Sequence, residues 1–215
     1  MVTNQLKSKI DALWLEFHSG GITNPITVIE QISYLMFARL LDIAEDREEK
    51  RADRLKKPFQ GLFPPDRQRL RWKNFRNLGG EEMLKVVRDD LFPFMRTNLA
   101  DRSALGKFLK DANCLIPSGS LLSRAVSAIE ELPLTQGDTK GDLYEYLLGK
   151  LSTAGIAGQF RTPRHVIRAM VEIVDPQPTD VICDPACGTA GFPVGVMEYL
   201  REKYTSPALI ETDEE

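Results

Sequence analysis

The sequence predicts a mainly α N-terminal bundle followed by the opening of an α/β domain. Three observations carry that reading. Apolar residues recur at helical spacing through most of the first 131 residues. Leu132-Pro-Leu-Thr-Gln-Gly-Asp-Thr-Lys-Gly141 is rich in turn formers and lacks periodic apolar positions, as a linker does. Val181-Ile182-Cys183 is a short apolar run suited to a strand buried on both faces, and it feeds a glycine turn that opens a helix. The expected domains are 1–141 and 142–215.

The bundle elements follow in order. Ile10, Leu13, Trp14 and Phe17 share one helical face, and His18-Ser-Gly-Gly21 stops that helix. Asn24 or Thr23 caps the next, with Pro25 at its first position. From Ile26 to Ala44 apolar residues occupy nearly every face, so this helix belongs in the centre of the bundle. Between Glu45 and Asn77 the apolar period fails while charge and proline rise, which reads as a long loop. Helical pattern returns from Gly80 until Phe92-Pro93 interrupts it, then again over Arg102–Asp111 and Ser120–Glu131. Asp142 caps a further helix, with Leu143, Leu147, Leu148 and Leu151 turned inward.

The composition, 42% hydrophobic and 27% charged, is that of a globular chain. No apolar run approaches membrane-spanning length, and Met1-Val-Thr-Asn-Gln-Leu-Lys7 lacks the hydrophobic region of a signal peptide, so a cytoplasmic location is expected. Three cysteines make no disulfide framework and two histidines no metal-ligand array, so no metal is expected. Cys183 and Cys187 read as small buried residues with reduced thiols.

The formal charge of −3 hides an asymmetry. Residues 47–76 hold eleven basic side chains against four acidic ones, so a basic segment stands inside an acidic protein. Within it Arg67, Arg69, Arg71, Lys73 and Arg76 alternate with Leu70, Trp72 and Phe75. Two readings stay open: basic residues interleaved with aromatics can track a phosphate backbone, or the charges form a solvated face with the rings anchored in a core.

The chemistry-bearing stretch is Gly155 to Phe192. Thr162 is placed to cap a helix with Pro163 at its first position, and Val166, Ile167, Met170, Val171 and Val174 form its buried face. Asp184-Pro185 ends the strand, Gly188 and Gly191 allow a sharp turn with close ligand approach, and Pro193 suits the first turn of the next helix. This is neither the Gly-x-Gly-x-x-Gly dinucleotide fingerprint nor a Walker loop, which would carry a lysine.

Gly158-Gln-Phe-Arg-Thr-Pro-Arg164, then a helix, then Asp184-Pro-Ala-Cys-Gly-Thr-Ala-Gly-Phe192 resembles the modification subunits of type I restriction-modification systems. These are N6-adenine DNA methyltransferases using S-adenosylmethionine. The resemblance implies a helical N-terminal domain and the truncated start of a class I, Rossmann-like methyltransferase domain. It also implies cofactor contacts from Gln159, Phe160, Arg161, Thr162, Pro163, Arg164, Asp184, Ala186, Gly188, Thr189, Ala190 and Gly191. Double-stranded DNA, a specificity subunit and a restriction subunit are the partners it implies. Two residues depart from the family pattern: Arg161 stands where an aromatic is common, and Ala190 where glycine is usual. The family's Asn-Pro-Pro-aromatic catalytic loop does not occur in these 215 residues, where Pro64-Pro65 follow Phe63, so no catalytic residue is assigned and the chain alone is expected to be inactive. A non-enzymatic DNA- or protein-binding module with a relic cofactor turn, and a standalone adenine methyltransferase, remain as alternatives.

Overall fold

The computed structural model describes residues 4–59, 61–99, 109–135, 139–153 and 162–205. The chain divides into two compact units, Val2–Ala157 and Gly158–Glu215. The first is helical throughout its described elements: α1 (Asn4–Ser19), α2 (Pro25–Leu55), a 3-10 turn (Pro65–Leu70), α3 (Trp72–Phe75), α4 (Gly80–Lys85), α5 (Gly119–Glu130) and α6 (Thr139–Thr153). Beyond α4 the rod continues through π-helical Val86–Leu91, α-helical Phe92–Phe94 and π-helical Met95–Leu99. Pro93 therefore does not end the helix: a proline lacks one amide donor, and the wider π turns on either side shift the hydrogen-bond register around it.

Local chemistry starts these helices where expected. Asn24 Oδ1 accepts the amides of Ile26 at 2.9 Å and Thr27 at 3.4 Å, with Pro25 at the first position of α2. Ser118 caps α5 through Leu121 N at 3.3 Å. Leu121, Leu122, Ala125, Val126 and Ile129 of α5 are buried. They join Ile10, Leu13 and Phe17 of α1, Val28, Ile32, Leu35 and Met36 of α2, and Leu143 and Leu147 of α6 in one core. The start of α5 crosses α4 backbone to backbone. A Cβ on Gly119 would sit 2.2 Å from the carbonyl carbon of Gly80, so only glycine fits there.

α2 is longer than its apolar pattern. It runs to Leu55 because its charged extension carries a second stripe, Asp42, Asp46 and Glu49, on one face. That stripe grips Arg71, whose side chain is 1% exposed: Nε donates to Asp42 at 2.8 Å, Nη1 to Glu49 at 3.0 Å, and Nη2 to Asp46. Lys73 adds its amide to Asp42 at 3.0 Å and its Nζ to Asp46 at 2.8 Å. Glu45, one turn away, accepts the amides of Leu62 and Phe63. Residues 62–75 thus pack against α2 rather than forming a solvated loop, with Phe63, Leu70, Trp72 and Phe75 buried. Gln31 is buried as well, donating to Asn113 O at 2.9 Å and accepting from Leu115 N at 3.0 Å.

The units divide at residues 157 and 158 rather than at 141 and 142. α6 stays with the bundle because Leu143 and Leu147 lie in its core and Tyr146 donates to Asp11 of α1 at 2.8 Å. Leu132 and Leu134 of the linker are buried too. Most of the expected helix 102–111 lies outside the described residues.

The second unit holds α7 (Arg164–Val174) and α8 (Gly191–Tyr204), packed together. Val181–Cys183 forms no strand, and Val181 is 98% exposed. A strand exists only by pairing, and no second strand occurs among the described residues. For the same reason Val166, Met170 and Val174, expected inside, are exposed, and of that face only Ile167 and Val171 are buried.

Removing the Arg71 guanidinium leaves Asp42 buried with only the Lys73 amide and the longer Arg39 contact at 3.7 Å, so Arg71→Met is expected to cost about 3 kcal/mol in urea unfolding, and Arg71→Met with Asp42→Leu to recover part of it. The cluster also sets an acid limit. The hydrogen bond from Arg71 holds Glu49 below the usual carboxylate range; burial pushes Asp46 up, but the Lys73 hydrogen bond and the charges of Lys73 and Arg71 outweigh it and leave Asp46 lowered. Both groups are more acidic folded than unfolded. Their contribution is therefore complete above the ordinary values of 3.8 and 4.5 and is lost as pH falls through the lower folded values, so the thermal midpoint should drop in that window.

Candidate cofactor and nucleic-acid sites

α7 begins on a proline. Pro163 is the capping residue, its carbonyl accepting from Val166 N at 2.9 Å and Ile167 N at 3.1 Å, and no side chain caps the helix. Thr162 is exposed and does not cap it, contrary to the sequence expectation, because the cap position falls one residue later. The positive pole of the α7 dipole therefore faces outward without a side-chain cap.

α8 begins on the glycine turn. Asp184 Oδ1 accepts Ala186 N at 3.0 Å, and Ala190 N donates to Cys187 O at 2.7 Å. Gly188 at φ 52° and Ala190 at φ 60° are both left-handed. Ala190 caps α8 with backbone only. The left-handed region costs an L-residue with a Cβ about 1–2 kcal/mol, so alanine at the usual glycine position stores strain at the mouth of α8. Thr189 and Gly191 complete the turn, and most of its surface is exposed. Cys183 and Cys187 are exposed rather than buried as expected, since no sheet covers them among the described residues.

The two helix starts lie side by side. A Cβ on Gly191 would lie 3.1 Å from Ile167 Cδ1, and one on Gly195 would lie 2.7 Å from Ile167 Cγ2 and 3.8 Å from Val171 Cγ2. Later turns pair in the same sense: Tyr199 Oη donates to Asp175 at 2.5 Å and Lys203 also pairs with Asp175. α7 and α8 are therefore parallel, and both present their uncapped amino ends, with the positive pole of each helix dipole, at one end of the pair. Gly195 is not among the residues expected from the motifs, yet Gly191-Phe-Pro-Val-Gly195 spaces two glycines one turn apart on one helical face, and that spacing is the signal that could have found it. Arg164 opens α7, while Gln159, Phe160 and Arg161 lie outside the described residues.

The basic candidates separate by burial. Arg71 is inside the protein, held by three carboxylates, so it cannot meet a phosphate. Lys73 is engaged by Asp46 and Glu49, and Arg76 by Glu130, which also accepts Trp72 Nε1 at 2.5 Å. Arg69 pairs with Asp90 at 2.9 Å and Arg67 with Asp66 at 3.5 Å, both side chains remaining exposed. Charge sign alone does not distinguish an interior ion pair from a surface cation.

Two family models cover most of the chain. Residues 6–129 match the HsdM N-terminal domain, and residues 135–212 match N-6 DNA Methylase. The chain belongs to the HsdM N-terminal domain family. Its relatives include the type I restriction enzyme EcoEI methylase subunit of Escherichia coli, 32% identical over 86% of this chain and 39% of that protein. The StySPI methylase subunit of Salmonella potsdam is 27% identical over 94% of this chain and 36% of that protein. The HsdM-family chain thus spans less than two fifths of each. Among solved structures, a modification subunit assigned to a type I restriction enzyme of Vibrio vulnificus YJ016 shares the fold at TM-score 0.67, with 24% identity over 98% of this chain and 49% of that one. A chain from a type I R-M system studied for complex assembly and conformational transition gives TM-score 0.63 at 27% identity over 95% of this chain and 43% of that one. The break between the two models, at residues 129–135, falls at the linker, whereas the compact units divide after α6.

Ala190→Gly is expected to relieve about 1 kcal/mol of left-handed strain, slowing hydrogen exchange in the first turns of α8 about fivefold. Gly195→Ala, which drives a methyl into Ile167, should do the reverse.

Proposed function

We propose that this HsdM-family chain is the N-terminal region of an S-adenosylmethionine-dependent subunit that methylates adenine N6 in double-stranded DNA. One observation carries the reading: two parallel helices with uncapped amino ends lie side by side inside the segment that matches N-6 DNA Methylase. Main-chain amides at such ends suit an anionic group, and the left-handed Gly188–Ala190 turn lets the backbone approach closely. The arrangement fits the amino-acid end of the cofactor, whose carboxylate the positive pole at the start of α7 would favour. Thr162, Pro163 and Arg164 line that start, while Gln159, Phe160 and Arg161 precede it in sequence. Asp184 shapes the turn through Ala186 N, and Ala186, Gly188, Thr189, Ala190 and Gly191 form its backbone. When bound, S-adenosylmethionine supplies an activated methyl group on a sulfonium.

Adenine N6 becomes reachable once the base leaves the duplex stack. An Asn-Pro-Pro-aromatic loop, absent from these 215 residues, would receive it in the full-length subunit. A specificity subunit would select the DNA sequence and a restriction subunit would complete the assembly. Action on DNA alongside these subunits puts the protein's work in the cytoplasm. No described helix is long and apolar enough to cross a membrane.

The test is photo-crosslinking of labelled S-adenosylmethionine to the full-length subunit, together with label transfer to DNA in complex with the specificity subunit. Crosslinking is expected within residues 159–191 and should fall at least tenfold in Gly188→Val, whose backbone at φ 52° disfavours a branched side chain. The 215-residue chain alone should transfer no label. Absence of cofactor binding by the full-length subunit refutes the reading.

A further inference from the structure

The charged extension of α2 is sorted by sign around its axis. Asp42, Asp46 and Glu49 recur at intervals of four and three residues and turn inward to Arg71 and Lys73. Arg47, Lys50, Arg51 and Arg54 recur at intervals of three, one and three, which on a helix of 3.6 residues per turn centres them about a third of a turn from the acidic stripe. All four are exposed, as are Lys56 and Lys57 at and just past the left-handed cap of the helix. Their neutralisation is slight: Arg51 reaches Glu48 at 3.7 Å, and Arg54 Nε donates only to Lys50 O at 3.3 Å. Cations near a helix C-terminus complement its dipole, and that accounts for Arg54 and Lys56. The dipole's effect is confined to the last turn, so it leaves Arg47, Lys50 and Arg51 without that explanation.

We propose that this outward stripe, Arg47, Lys50, Arg51 and Arg54 continued by Lys56 and Lys57, is a docking surface for the phosphate backbone of duplex DNA. The inference deepens the reading that DNA is the substrate and rests on it. Its support is positional. The four residues span about 10 Å of helix axis, and duplex DNA carries a charge about every 1.7 Å of its own axis, so several phosphates fall within reach. The acidic stripe on the same helix is clamped by a buried guanidinium, so the backbone that carries the basic stripe is ordered before binding. Phosphate pairing of this kind carries no base readout; it positions and holds the duplex. The motif pattern points to residues 67–76 for DNA binding, whereas the cations that the fold leaves unclamped lie about twenty residues earlier in the chain.

The experiment titrates fluorescent duplex DNA of arbitrary sequence with this chain across a salt series. The variant is Arg47→Gln/Arg51→Gln/Arg54→Gln, and Arg67→Gln/Arg69→Gln serves as comparison. The slope of log K against log salt should fall by about 0.9 for each phosphate that is no longer neutralised, about 2.7 in the triple variant. The comparison variant should change the slope less. An unchanged thermal midpoint shows that the triple variant is folded, as expected for exposed side chains. Four outcomes overturn the proposal: an unchanged slope in a folded triple variant, an equal or larger drop in the comparison variant, tighter binding of the parent chain to anionic lipid vesicles than to duplex, or no duplex binding by the parent chain. Cofactor crosslinking to the full-length subunit does not use these residues, so a failed stripe and a failed methyltransferase reading give different results.

Discussion

A single guanidinium inside the protein governs how the first unit is put together. Arg71 meets Asp42, Asp46 and Glu49 on successive turns of one helix, and each of its three nitrogens faces its own carboxylate. Desolvating these charges is costly, and the arrangement repays this only because the planar fork of arginine can serve several acceptors at once. A lysine could not hold that geometry. The ion cluster therefore acts less as glue than as registration: it sets where the segment after the 3-10 turn meets α2, and Trp72 and Phe75 then enter the core beside it. Among the described residues no buried side-chain nitrogen or oxygen lacks a partner, which is the condition for such a cluster to be tolerated.

The extension of α2 is legible in the sequence, in a different alphabet. Apolar periodicity stops near Ala44, but acidic residues continue at intervals of four and three, which is the same helical signal written in charge. The caps at Asn24 and Ser118 are readable because capping is local chemistry, settled within three residues. The burial of Arg71 is not, because its partners lie 22 to 29 residues earlier and only the folded chain brings them together. Val181–Cys183 shows the opposite case: its composition suits a strand, yet strand structure belongs to a pair of segments rather than to one.

The second unit shows how little local sequence a ligand-ready geometry requires. Two glycines spaced by one turn bring α8 close enough to Ile167 for its amino end to lie beside that of α7. Neither end is capped by a side chain, so the positive pole of each helix faces outward without one. The left-handed backbone at Ala190 hinges on a property that residue identity hides, the sign of one torsion angle.

Gln31 carries a consequence for the chemical ageing of the molecule. Its amide both gives and receives, tying Asn113 and Leu115 to the second turn of α2. Hydrolysis of that amide would turn the donor into a second acceptor facing the Asn113 carbonyl, and the loop would be repelled from the helix it now rests on. Because the side chain is sealed from water, the intact fold protects the bond on which that loop depends.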